Sequence, residues 1–345
     1  MAAQVGERQF SVGKTILFSC FLTVAGLSVI ELAARFTRPE MRALPRFLVR
    51  SIDVDIELPF MQLDPELFWR PAPGFSGPLW NGQVTIDALG QRQASPAQTL
   101  SSRRLLCFGD SITFGFGVDD ADSYPAQLAA LLGPSGIEVH NAGVTGYTSY
   151  QTLRWLRQQL KNQHVDEVTL LVGWNDGTQR PITDAEFGAR LKASTSTADQ
   201  ILGNLAIYRL MKVTWLRRGL ETESRAQKRT TARVPLDDYV RNLEMFVTEA
   251  RTAGARPHLI SLPHRLFPGE QPKPGPYLNA LTGVAKRLSV PLYDVGILSD
   301  SHPGVSRRGN ASLFIDSLHL STEGNRVMAS LIARQLQGSD TRSPS

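Results

Sequence analysis

Short apolar runs alternate with amphipathic segments over most of this chain. Runs with the length and composition of buried strands lie near residues 104–108, 137–141, 167–172, 257–262 and 291–295. Patterns with helical periodicity lie near residues 122–132, 148–162, 236–253, 276–288 and 322–337. Because strands that alternate with helices form parallel sheets covered on both faces, the pattern predicts an α/β fold, a three-layer α/β/α sandwich with a parallel sheet.

A longer apolar run precedes this alternation. Thr15 to Ala34 is apolar apart from Glu31, and its length is what a helix needs to cross a bilayer. We predict a tail over residues 1–14 and a transmembrane anchor over residues 15–36. The alternatives are a buried core helix and a cleaved signal peptide, and the lack of a clear Ala-x-Ala site after the run favours retention. Cys20 lies inside the run rather than after it, so we predict no lipidation.

Composition sets the other predicted boundaries. Residues 37–100 are rich in proline and form a connector and lead-in region, with aromatic residues at Phe68–Phe75 that we expect to pack on the sheet and a strand at Gln83–Ile86. Residues 101–338 contain the strand and helix patterns and form the main domain. Residues 339–345 form a tail.

One stretch of the main domain, residues 177–235, is longer than an ordinary connection between two elements. Within it, Leu202–Leu216 has a helical pattern, and arginine and lysine residues follow. The stretch is either a solvated polar loop or a lid that lies over a binding site and touches a membrane or an acidic polymer.

Charge and cysteine content exclude several classes of protein. The net charge of +5 comes from arginines scattered among acidic residues, without a basic stripe interleaved with aromatics, so nucleic acid binding is not expected. The two cysteines lie in the apolar N-terminal run and in a buried strand at Cys107, so we predict no internal disulfide. None of the six histidines is paired at the spacing of a zinc site, and we predict no metal. Among them, His264 follows a strand and is a minor candidate for substrate contact.

A serine on a turn is the first candidate for chemistry. Gly109-Asp110-Ser111 follows the apolar run that ends at Phe108, which places Ser111 just beyond the carboxyl end of a strand, where open α/β sheets bind ligands. The alternative is a turn in which the serine caps a helix. A serine hydroxyl becomes a good nucleophile only with a base, a carboxylate that orients the base, and donors for the developing oxyanion.

Three later stretches offer those groups. Asp316 and His319 lie three residues apart before a helix start, a spacing that lets the carboxylate hold one imidazole nitrogen while the other faces Ser111. Gly143 follows the second predicted strand, and Asn175 follows the third. Taken singly, the glycine and the asparagine are also typical of turns, and an aspartate and a histidine near a helix start are also typical of a polar surface.

Together, the four stretches resemble the sequence blocks of the SGNH/GDSL hydrolases, a family of serine esterases, lipases and acyltransferases. The resemblance covers roughly residues 103–337, with Gly109-Asp110-Ser111-Ile112 where the family usually has Gly-Asp-Ser-Leu. It implies that Ser111 is the nucleophile, His319 the base and Asp316 the residue that orients the base. It also implies that the N–H groups of Ser111 and Gly143 and the side-chain amide of Asn175 bind the oxyanion, and that no cofactor is required.

The function implied by this resemblance is serine-dependent ester hydrolysis through an acyl-enzyme. Two alternatives stay open: an O-acyltransferase acting on envelope glycans, and a non-catalytic subunit of a membrane assembly that keeps the fold. The expected partners are an ester-containing small molecule, lipid or glycan, the membrane through the N-terminal helix, and in the transferase case a membrane protein.

The side of the membrane is where two indications disagree. Arg8 and Lys14 precede the apolar run, whereas five arginines follow it, at positions 35, 38, 42, 46 and 50. The positive-inside rule therefore favours a cytoplasmic main domain. Membrane-anchored members of the resembled family commonly act on exported substrates, so the resemblance implies a periplasmic or extracellular catalytic domain on a single-pass anchor.

Overall fold

The structure is a computed structural model that describes residues 12–37, 60–64, 66–94, 103–193, 202, 205, 207–208, 211, 230–266, 275–296, 298 and 310–340. The first element, α1 (Val12–Thr37), contains a stretch of 21 residues, Gly13–Ala33, with a mean hydropathy of 2.1. None of its apolar window is buried, so the alternative of a core helix is wrong. α1 is long and apolar enough to cross a membrane, a property that a signal sequence shares.

Five parallel strands form the central sheet and lie where the apolar runs predicted them. They are β5 (Arg103–Gly109), β6 (Ile137–Gly143), β7 (Glu167–Leu171), β10 (Arg256–Ile260) and β11 (Leu292–Tyr293). Their order across the sheet is β6, β5, β7, β10, β11. The chain thus builds outward from β5 in both directions, and in such sheets the crevice at the carboxyl ends of the strands, at the switch point beside the first strand, is where ligands bind.

The helices cover both faces of the sheet, as predicted for a three-layer sandwich. They are α2 (Ser111–Phe114), α3 (Tyr124–Leu132), α4 (Ser149–Asn162), α5 (Asp184–Ala193), α6 (Leu236–Thr252), α7 (Pro276–Arg287) and α8 (Thr322–Asp340). Successive side chains of β5 point to opposite faces. Phe108 belongs to the core under α4, α6 and α7, and Cys107 belongs to the core under α3 and α8. Each large apolar side chain buried in this way contributes roughly 1.5–3 kcal/mol.

Two short hairpins form the lead-in region before the sheet. β1 (Met61–Asp64) pairs with β2 (Phe68–Pro71), and β3 (Ser76–Leu79) pairs with β4 (Gly82–Thr85), both antiparallel. The sequence predicted only the last of these strands. The aromatic side chains do pack on the main domain, as expected, since Trp69 Nε1 donates to the carbonyl oxygen of Thr145 at 3.0 Å.

The long insertion is closed at its base by two short paired strands, β8 (Gln179–Arg180) and β9 (Thr231–Ala232), and α5 follows β8. The predicted helix at Leu202–Leu216 lies mostly outside the described residues. One described residue in it, Ile207, donates its N–H to Oε2 of Glu31 in α1 at 3.0 Å.

Candidate active site

The turn after β5 holds Ser111 at the start of a short helix. Asp110 caps α2, because its Oδ1 accepts the N–H of Ile112 at 2.9 Å. Gly109 leaves no room for a side chain, since a Cβ there would lie 2.6 Å from the carbonyl oxygen of Leu171 on the neighbouring strand. The nucleophile candidate is therefore fixed at the carboxyl edge of the sheet, and only 8% of Ser111 is exposed.

Ser111, His319 and Asp316 form a continuous chain of hydrogen bonds. His319 Nε2 lies 2.8 Å from Ser111 Oγ, and His319 Nδ1 lies 2.7 Å from Asp316 Oδ2. These three residues come from the two ends of the main domain, yet the fold brings them into the geometry that a nucleophile, a base and an orienting carboxylate need.

Asp316 also bonds to the backbone of the turn that carries the histidine. Asp316 Oδ1 accepts the N–H groups of Leu318 and His319, both at 2.7 Å. Burial raises the pKa of Asp316, but the bonds from the imidazole and from these two N–H groups outweigh burial and hold the pKa below its ordinary value. Asp316 therefore stays ionised at neutral pH and can accept a proton-bearing Nδ1, which leaves Nε2 as the acceptor facing Ser111.

Two of the predicted oxyanion donors lie beside this chain. No described residue accepts a hydrogen bond from the N–H of Ser111. The Nδ2 of Asn175 donates to the carbonyl oxygen of Tyr147 at 3.0 Å and lies 3.5 Å from Asp110 Oδ2. The second contact is long for a hydrogen bond, so one N–H of the amide can turn to a substrate.

Gly143 differs from the prediction. Its N–H donates to Oδ1 of Asn141 at 3.0 Å, and a Cβ at this position would lie 2.7 Å from the carbonyl carbon of Thr113. Gly143 is the last residue of β6 and lets α2 pack closely on that strand. In this structure its N–H already donates to Asn141, unlike the open donor that the resemblance implies.

Gly146, three residues further on, has the properties that Gly143 lacks. It lies in the loop after β6 with φ of 77°, a conformation that favours glycine, and no described residue accepts its N–H. The next residue, Tyr147, provides the carbonyl oxygen that holds Asn175. Both glycines lie in the stretch Asn141–Gly146. They differ in that Gly143 is the last residue of β6, whereas Gly146 lies in the loop beyond it.

A buried polar network supports this loop, and sequence reasoning missed it. Arg233 from the end of the insertion is 1% exposed, pairs with Asp184 at 3.0 Å and donates to the carbonyl oxygen of Gly146 at 2.9 Å. Asp176 Oδ1 accepts both the N–H and the hydroxyl of Ser149, at 2.9 and 2.5 Å. An arginine in a polar stretch gives no periodic signal, so nothing in the sequence distinguishes Arg233 from the other arginines of that stretch.

Burial raises the pKa of Asp176 to about 6. A carboxyl group whose pKa is higher in the folded than in the unfolded chain stabilises the fold below its ordinary pKa, near 3.8, and that stability is lost as pH rises through about 6. In Asp176→Asn the amide oxygen can accept the same two bonds but the side chain does not titrate. Between about pH 4 and 6 the free energy of unfolding of this variant should therefore fall less than that of the wild type, by up to about 3 kcal/mol. Thermal unfolding of both proteins across this range is the measurement, and equal slopes would contradict the expectation.

Two other histidines make their own contacts and are not members of this chain of bonds. His258 sits between Glu167 and Tyr293, at 2.9 and 2.8 Å, and His264 donates its backbone N–H to Gly296. Within the described ranges, no cluster of three or more His, Cys, Asp or Glu could hold a metal ion.

The chain matches the model of a known protein family. The family model described as "GDSL-like Lipase/Acylhydrolase family" matches residues 107–327, more than half of the chain. The protein therefore belongs to the GDSL-like lipase/acylhydrolase family, and this membership supports a hydrolase. Comparison with curated proteins gave no match.

Solved structures with a similar fold include several hydrolases. The psychrotrophic esterase EstA from Pseudoalteromonas sp. is 16% identical, with 70% of this chain and 100% of that chain covered and a TM-score of 0.44. The lipase/acylhydrolase from Enterococcus faecalis is 18% identical, with coverages of 69% and 96% and a TM-score of 0.43. An alpha/beta hydrolase enzyme from the metagenome of Lake Arreo, Spain, is also 18% identical, with the same coverages and a TM-score of 0.46. At these identities the likeness concerns the fold alone.

Proposed function

We propose that this protein is a serine-dependent ester hydrolase that works through an acyl-enzyme. The observation that carries the proposal is the pair of hydrogen bonds that joins Ser111 Oγ to His319 Nε2 and His319 Nδ1 to Asp316 Oδ2, at 2.8 and 2.7 Å. A non-catalytic subunit has no need for a base and its orienting carboxylate in contact with a serine at a sheet edge.

The reaction follows from the geometry. Ser111 Oγ attacks the ester carbonyl carbon while His319 Nε2 takes its proton, and Asp316 stabilises the imidazolium that forms. The carbonyl oxygen gains the negative charge, and the N–H of Ser111 and the amide of Asn175 are its donors, with the N–H of Gly146 as the third. When the tetrahedral intermediate collapses, His319 returns the proton to the leaving alcohol. Water, activated by His319, then attacks the acyl-enzyme, releases the acid and restores Ser111.

The test of this function uses a fluorophosphonate probe, which phosphonylates an activated serine. The purified fragment of residues 40–345 is incubated with the probe, and the adduct is located by peptide mass spectrometry. We expect a single adduct on Ser111, together with hydrolysis of p-nitrophenyl esters. A protein that hydrolyses no ester and takes up no probe would refute the proposal. Comparing esters of different acyl length identifies the preferred acyl group.

We further propose that α1 is a single-pass membrane anchor and that the catalytic domain lies in the periplasm or outside the cell. No residue in the apolar window of α1 is buried, which supports the anchor. The full-length protein should remain in the membrane pellet after carbonate or high-salt washes, because salt releases only proteins held by surface charge. Release by either wash would contradict the anchor.

The membrane side is tested with reporters fused after Ser345. The arginines at 35, 38, 42, 46 and 50 favour the cytoplasm, so the proposal depends on the export that is common in the family. A reporter that is active only outside the cytoplasm should give a signal. A silent external reporter with an active cytoplasmic one at the same position would overturn the side and leave the chemistry intact.

A further inference from the structure

The tip of the second lead-in hairpin is strained. Trp80 and Asn81, which join β3 to β4, have φ of 55° and 100°. Turns of this kind usually carry Asn, Asp or Gly at both positions, because a bulky side chain is disfavoured at positive φ. A tryptophan is therefore unexpected at the first position. Strain of this kind persists where the surrounding packing imposes it, often beside functional sites.

The Trp80 ring leads directly to the catalytic histidine. Its centroid lies 4.4 Å from that of Phe116, with an angle of 40° between the planes. The Phe116 ring in turn stacks on the imidazole of His319, with a centroid distance of 4.3 Å and an angle of 30°. Three rings, from the lead-in hairpin, the turn after α2 and the turn before α8, thus form one continuous row of contacts.

The lead-in region also holds the backbone on either side of Phe116. Arg92 is 1% exposed, and its guanidinium donates to the carbonyl oxygens of Phe114, Gly115 and Val118, at 2.9, 2.5 and 2.7 Å. These carbonyls flank Phe116 on both sides. Burial lowers the pKa of Arg92, and the neighbouring Asp120, whose Oδ1 accepts Nε at 2.7 Å, opposes that shift.

The imidazole needs such support. The Asp316 side chain is 45% exposed, so water competes for the carboxylate that orients His319. The hydrogen bonds at Nδ1 and Nε2 both act at the edge of the ring and leave its faces without support. A face contact restricts tilting of the ring and keeps Nε2 aligned with Ser111 Oγ, and a displacement of about 1 Å at a reacting group can cost about 100-fold in rate.

We infer that Trp80 is a positioning residue, which acts through Phe116, on the turn that Arg92 holds, to keep the His319 imidazole in its reactive orientation. The lead-in region is then part of the catalytic machinery rather than a spacer between α1 and the sheet. This inference rests on the proposed serine hydrolase function, and it adds residues that lie outside the segment matched by the family model.

The test compares Trp80→Leu, Phe116→Leu and the double variant. For each purified protein, the rate constant of fluorophosphonate labelling and the kcat and KM for a p-nitrophenyl ester are measured. We expect each single change to lower kcat and the labelling rate about tenfold with KM nearly unchanged. Because both residues act through one ring, the double variant should be no slower than Phe116→Leu alone. Trp80→Phe, which keeps an aromatic face, should recover most of the rate.

Phe75→Leu is the matched control. Phe75 belongs to the same hairpin region, but its ring contacts Phe60, at a centroid distance of 6.1 Å, rather than Phe116. Phe75→Leu should keep the wild-type kcat. Equal loss in Phe75→Leu and Trp80→Leu, or a wild-type labelling rate in Trp80→Leu, would overturn the positioning role. Wild-type protein that takes up no probe would instead refute the hydrolase proposal itself, so the two failures are distinguishable.

Discussion

Ser111→Ala will abolish ester hydrolysis and fluorophosphonate labelling together. The substitution removes the oxygen that lies 2.8 Å from His319 Nε2 and leaves the base without a nucleophile to activate. In hydrolases with such a triad, losing the serine lowers kcat by roughly 10⁶. Among the described residues, His319 is the one hydrogen-bond partner of Ser111 Oγ. Alanine also suits the first turn of α2, so the thermal unfolding temperature should change little.

The control for this prediction is Ser149→Ala. Ser149 is another buried serine at the start of a helix, and its hydroxyl donates to Asp176 rather than to a base. The Ser149→Ala protein should still be labelled by the fluorophosphonate. It should be less stable, because the buried Asp176 carboxylate loses one hydrogen-bond donor. Labelling that persists in Ser111→Ala and disappears in Ser149→Ala would reverse the assignment of the nucleophile.

Much of the fold was predictable because its signals are local. The five sheet strands are apolar runs that end in turn residues, and every boundary of the five lies within two residues of its predicted position. The Asp316–His319 pair was equally readable, since a separation of three residues within a single turn fixes the geometry of the two side chains. Ser111 lies far from that pair in sequence. It meets the pair only because the parallel sheet brings the carboxyl ends of its strands to one edge.

The lead-in hairpins were harder to predict, and the reason is physical. β3 is Ser76-Gly77-Pro78-Leu79, and a strand that contains glycine and proline lacks the apolar alternation typical of a sheet. These strands are stabilised by the packing of Trp69 and Trp80 on the main domain rather than by their own propensity. Arg92 is buried for a similar reason: its carbonyl acceptors become neighbours only after the turn at 114–118 has formed.

The choice between Gly143 and Gly146 shows where a motif stops being informative. Both glycines lie in one short stretch, and the sequence favoured the one nearer the apolar run. β6 extends through Gly143, so the ladder and Asn141 occupy that residue, whereas Gly146 lies beyond the last ladder position. A difference of a few residues in the strand end therefore moves the candidate donor from one glycine to the other.

Asn175→Ala will lower kcat by about 10²–10³ with KM nearly unchanged, because a side-chain donor to the oxyanion is used mainly in the transition state. The amide lies 3.0 Å from the carbonyl oxygen of Tyr147 and is only partly buried, so the loss of stability should be small. The measurements are steady-state kinetics with a p-nitrophenyl ester and the binding of a boronic acid, which forms a tetrahedral adduct with an active serine. Boronic acid affinity should fall alongside kcat.

Asn242→Ala separates catalysis from support of the network. Asn242 is also a half-buried asparagine, and its amide donates to Ser149 Oγ at 3.0 Å, one contact away from Asp176. Its removal should weaken the fold without changing the affinity for the boronic acid. If Asn242→Ala lowered kcat as much as Asn175→Ala, the effect of Asn175 would reflect the position of the loop rather than a bond to the oxyanion. If neither variant lowered kcat, the N–H groups of Ser111 and Gly146 would have to hold the oxyanion by themselves.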